Sequence, residues 1–129
     1  MEYQFSNISD FVNFLLGCYS RTKEIHWRTQ NKATHEALDD IGWNLTNIAD
    51  SVMEQALSIY GREVLSSGDV QATVLVVDTF EDLISLINST AANFRASLEG
   101  IDEFKSLSSE LDTFIFNTNI SKYRGELVA

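Results

Sequence analysis

Apolar residues recur along the chain at the three- and four-residue spacing of one helix face, in four separate stretches. The first runs from about Ser9 to about Arg28, with Phe11, Phe14, Leu15, Cys18, Thr22 and Ile25 on one side and Ser9 and Asp10 as candidate caps. The polar run RTQNKAT that follows predicts a turn. A second helix then starts between Asn31 and Thr34. Its stripe of Leu38, Ile41, Leu45, Ile48, Val52 and Leu57 continues for roughly seven turns to a natural stop at Gly61. Thr79, with Asp82 three residues on, is an N-cap signal for a third helix, whose Phe80, Leu83, Ile84, Ile87, Ala91, Phe94 and Leu98 lead to Gly100. A fourth follows through Ile101, Phe104, Leu107, Leu111, Phe114, Ile115 and Ile120, and Lys122 and Arg124 suit the negative end of its dipole.

Between Arg62 and Asp78 lies the connection REVLSSGDVQATVLVVD, whose β-branched run at 73–77 reads locally as a strand. An isolated strand has no partner in such a chain, so a long crossover with a short helical or extended piece is the better reading. Two helical hairpins joined by one long crossover is the connectivity of ferritin-like bundles. The expected fold is therefore all-α, a ferritin-like four-helix bundle with a long crossover between the second and third helices. It forms a single domain over 1–129.

Composition supports long helices. Proline is absent and glycine occurs only six times in 129 residues. A chain of this length with 44% hydrophobic and 22% charged residues is enough to build one core. The first ten residues have no basic and apolar leader pattern, and no run of eighteen apolar residues occurs. The expectation is a protein neither secreted by that route nor membrane-spanning. Cys18 is the lone cysteine and sits among Leu15 and Leu16, which predicts a small buried hydrophobe in a reducing, cytoplasmic compartment. The net charge is −10, and the nine basic residues are spread singly. That argues against direct DNA binding unless a cation bridges the surfaces, and it suits attraction of cations.

Placed on a wheel with His35 at the origin, Asp39 falls at about 40°, Asp50 at about 60° and Glu54 at about 100°. One histidine and three carboxylates thus share an arc of about a quarter turn beside the apolar stripe. Packed carboxylates need compensation, and a metal ion would supply it. His26 adds a second imidazole across the interhelical turn, and imidazole with carboxylate suits iron, manganese and zinc. His35 and Asp50 lie about 22 Å apart along the helix, so one chain cannot bring both ends of the stripe to one ion. A second subunit with its helix antiparallel would, which predicts a twofold dimer with two equivalent sites.

The stretches HWRTQNKATHEALDD at 26–40 and ADSVMEQALSIYG at 49–61 resemble the Dps family, the mini-ferritins or DNA-binding proteins from starved cells. The family pattern is a His-Trp pair ending the first helix, a histidine opening the second, an acid four residues on, and a later Asp-x-x-x-Glu. Here these are His26 with Trp27, His35, Asp39, and Asp50 with Glu54. The segment between the histidines is shorter than in the family, and the shortfall falls in the turn.

The resemblance implies a ferroxidase centre that takes His26, His35 and Asp39 from one subunit and Asp50 and Glu54 from its mate, with Trp27 beside it. It implies oxidation of Fe(II), with hydrogen peroxide or dioxygen as oxidant, and storage of Fe(III) in a dodecameric shell. Other divalent metals would suit the same ligands. The chain also resembles small phage-encoded relatives of this superfamily, and the basic N-terminal tail by which some Dps proteins bind DNA has no counterpart here. The competing expectation is a non-enzymatic structural or assembly module, such as a virion component, that retains the fold. Taken singly, Trp27 and Trp43 read as core or interface aromatics rather than redox groups, Phe114 and Phe116 as packing residues, and acids such as Glu81, Asp82, Glu99, Asp102, Glu103, Glu110 and Asp112 as a solvated face.

Overall fold

The computed structural model describes residues 5–62 and 70–127, and all regular structure among them is helical. Helix α1 spans Phe5–Arg28, α2 Lys32–Tyr60, α3 Phe80–Ser97 and α4 Lys105–Gly125, with a short 3-10 turn at Asp102–Phe104. The residues that start and stop these helices act as the sequence suggests. Asn31 caps α2 by accepting from the Thr34 amide at 3.2 Å, and Thr79 caps α3 by accepting from the Asp82 amide at 3.1 Å. Gly61 ends α2 at a φ of 91°, a conformation that glycine adopts without a Cβ penalty.

Two boundaries differ from expectation. Helix α1 begins at Phe5, ahead of Ser9 and Asp10, so neither is its cap. Ser9 is instead buried inside the helix among the core residues. Helix α4 begins at Lys105, because the residues from Ile101 first close the 3-10 turn through the Phe104 amide and the Ile101 carbonyl, 3.1 Å apart. The RTQNKAT turn is also shorter than drawn from sequence, with only residues 29–31 outside the helices.

The four apolar stripes meet in one core. Ile8, Phe11, Leu15, Cys18 and Ile25 of α1 face Leu38, Ile41, Leu45 and Val52 of α2, with Leu83, Ile87, Leu107 and Leu111 from the second hairpin. Helix α1 packs on α2 and α3, and α4 packs on the same two. Each neighbouring pair is antiparallel. Phe11 stacks on Phe94 at 3.9 Å, the Thr34 hydroxyl donates to the Gly125 carbonyl at 2.7 Å, Gln55 donates to Glu110 at 2.9 Å, and Asn88 donates to Asn119 at 2.8 Å.

Residues 70–78 lie extended along α1, from its middle towards its C-terminal end. The Gln71 and Thr73 amides donate to the side chain and carbonyl of Asn13 at 2.8 and 2.9 Å, and Arg21 donates to the Val77 carbonyl and to Asp78. Arg28 joins Asp78 at 3.7 Å. Leu75 and Val77 pack on the core, whereas Val74 and Val76 point to solvent at 90% and 85% exposure. The alternation that looked like a strand is thus a two-faced strap on a helix. The rest of the expected crossover, residues 63–69, lies outside the described residues.

Phe114 is buried as expected, whereas Trp27, Trp43 and Phe116 are 75%, 71% and 63% exposed, so of the core and interface positions expected for the two tryptophans the core one does not hold. The named acids other than Glu110 are exposed as anticipated, and Glu99 and Asp112 flank Arg95, holding its guanidinium above its ordinary range. No described helix is long and apolar enough to cross a membrane.

Candidate metal centre

His26 lies in the last turn of α1 and His35 in the first turn of α2, with a turn of three residues between the helices. The tightness of that turn brings the two rings face to face, their centroids 3.7 Å apart and their planes 27° from parallel. The backbone holds them there. Nδ1 of His26 is 3.0 Å from the His35 carbonyl, and Nδ1 of His35 is 3.2 Å from the His26 carbonyl. A carbonyl oxygen only accepts, so each Nδ1 is assigned a proton that it donates, and the tautomer with Nδ1–H carries its lone pair on Nε2. The His26 carbonyl belongs to the last turn of α1, where carbonyls lack helical partners, so the bond from His35 also satisfies an orphan acceptor.

Asp39 is one turn beyond His35 on the same face of α2. Its Oδ1 lies 3.5 Å from His26 Nδ1 and 4.0 Å from the ammonium of Lys23. Ligand-capable atoms of His26, His35 and Asp39 all fall within 4.8 Å of one another. His26 is buried and Asp39 exposed, so the group opens outward from the helix hairpin. On the Asp39 side of the group lies a cavity of about 270 Å³ lined by Asp39, Lys23, Tyr19, Trp43, Gly42 and Thr46.

The donor set fits a borderline divalent metal. Two imidazoles whose Nδ1 atoms are held by backbone carbonyls have Nε2 as the nitrogen available for ligation, and the carboxylate supplies charge. Lys23 holds Asp39 only as a long, partly exposed ion pair, which a metal ion would displace at little cost. Three ligands from one chain leave further coordination positions open.

The structure brings together three of the five expected metal ligands. Asp50 and Glu54 are exposed on α2, about 16 and 22 Å along the helix from Asp39. They do not join the group within one chain, as their spacing requires. Trp27 follows His26 but turns its ring to solvent. Sequence reasoning missed Lys23, although its position three residues before His26 puts it on the same face of α1. It also missed the reciprocal carbonyl contacts, which depend on the path of the turn.

Cys18 is no part of the group. It is fully buried in the core, and burial pushes its thiol up to about 12. Comparison of the chain with protein-family models, with curated proteins and with solved structures finds no match.

Proposed function

We propose that the chain is an iron-oxidising protein of the mini-ferritin kind, built as a ferritin-like bundle, that takes Fe(II) as substrate at His26, His35 and Asp39. The observation that supports this is the pair of backbone-fixed imidazoles with a carboxylate one turn away. Asp50 and Glu54 of a second subunit, running antiparallel along α2, would complete each site, with Trp27 at its edge and hydrogen peroxide or dioxygen as oxidant. The further assembly is a closed shell, and the net charge of −10 favours cations over DNA as partners.

A second reading keeps the fold without the reaction. The histidines also clasp the α1–α2 turn through their two hydrogen bonds, a structural role that needs no metal. The two readings separate in one assay. Fe(II) and peroxide added to the purified protein should give a ferric absorbance change, and His26→Ala or Asp50→Ala should each slow it by at least about tenfold, the loss typical of damage to a metal's ligand shell. Equal rates in wild type and both variants would leave only the structural clasp.

A further inference from the structure

A cavity of about 390 Å³ lies between the first half of α2 and the last two turns of α4, within the size range of small-molecule sites. Helix α2 lines it with Asp40, Trp43 and Asn44, and α4 with Asn117, Ser121 and Arg124, each set falling on one helix face. The charges on its two walls are opposite and unused. Arg21, Arg28, Arg95 and Lys122 all have carboxylate partners in the chain. Asp40 and Arg124, by contrast, make no ion pair or side-chain hydrogen bond among the described residues, with each other or with anything else.

Ser121 is the second observation. It is only 4% exposed and lines the cavity, yet its hydroxyl has no partner within the described residues. Two buried threonines on helices show the usual solution: Thr22 donates to the Cys18 carbonyl at 2.7 Å and Thr118 to the Phe114 carbonyl at 2.9 Å. The Ser121 hydroxyl forgoes that bond and is left to the water of the cavity, or to a ligand that displaces it. The Asn44 and Asn117 amides are likewise uncommitted. On the other wall Trp43 presents an indole at 71% exposure.

We propose that this cavity binds a small zwitterion, a cationic nitrogen and a carboxylate joined by a short apolar spacer, as in the ω-amino acids. The cation belongs on the α2 wall, between the Asp40 carboxylate and the face of Trp43. The ligand's carboxylate belongs on the α4 wall, where Arg124 offers a paired donor and Ser121 and the Asn117 amide donate further hydrogen bonds. A ligand of one charge would leave Asp40 or Arg124 unmatched, whereas a zwitterion satisfies both and adds nothing to the net charge of −10. None of His26, His35 and Asp39 lines this cavity, and of the residues named here only Trp43 also borders the smaller cavity beside Asp39.

The test is a fluorescence titration of Trp43 in a Trp27→Phe background, with γ-aminobutyrate and ε-aminocaproate as ligands and butylamine and butyrate as half-ligands. At least one zwitterion should give a saturable change, with each half-ligand binding about tenfold or more weakly because one charge-assisted contact is missing. Asp40→Asn and Arg124→Gln should each lower zwitterion affinity by about tenfold at unchanged circular dichroism. No saturable change with either zwitterion, half-ligands that bind equally well, or folded variants that bind like wild type would overturn the assignment.

Discussion

His26 and His35 each commit one ring nitrogen to the other's backbone, and that reciprocity prepares the remaining nitrogens for metal. The residues themselves were legible in the sequence, since two histidines across a short polar turn and an acid four residues on need only helix geometry to be brought together. What fixes the tautomers was not, because it rests on carbonyls whose direction is set by three turn residues. Cys18 was also legible as a buried hydrophobe, and its environment makes a separate expectation. Its thiol stays protonated in the fold up to about pH 12, against an ordinary value of 9.0. The folded state therefore holds the proton more tightly than the unfolded one, a contribution present in full below about pH 9 and lost as pH rises towards 12. Denaturant unfolding across that window should show a fall in stability that Cys18→Ala flattens; equal slopes in the two proteins would place the thiol in a more polar setting than the core.

At the scale of elements, the helix faces, the caps at Asn31 and Thr79 and the stop at Gly61 followed from residue type and period. The starts of α1 and α4 did not, because Ser9 reads as a cap locally while tertiary burial carries the helix past it. The strap at 70–78 was ambiguous for the same reason: TVLVV alternates like a strand, and only the helix beneath it explains how Leu75 and Val77 are buried without a sheet. Gly17 decides how closely the strap can lie. A Cβ there would collide with the Thr73 carbonyl oxygen, which is backbone and cannot rotate aside. Gly17→Ala should accordingly destabilise the protein by about 1–3 kcal/mol, although alanine gains about 1 kcal/mol in helix propensity at an unobstructed position. A urea midpoint that rises in the variant would show that the strap does not press on α1.

For the whole molecule, the arrangement of the helices leaves the carboxylates of one acidic stripe at two separated places on α2. His26, His35 and Asp39 gather at the hairpin, and Asp50 and Glu54 stand exposed about three and four turns beyond Asp39 on the same helix. This separation was readable from residue spacing alone. The partner that would close it was not, because one chain carries no record of how its copies meet beyond the chemistry it leaves unsatisfied. Iron oxidation at a site shared by two subunits makes a demand that a site within one chain does not. The decisive measurement is the rate of ferric absorbance after His26→Ala and Asp50→Ala proteins, each slowed at least about tenfold alone, are unfolded together and refolded as a mixture. Random twofold pairing gives half mixed dimers, each with one intact site of two, so about a quarter of the wild-type rate should return. A mixture as inactive as its two components would contradict the shared iron site.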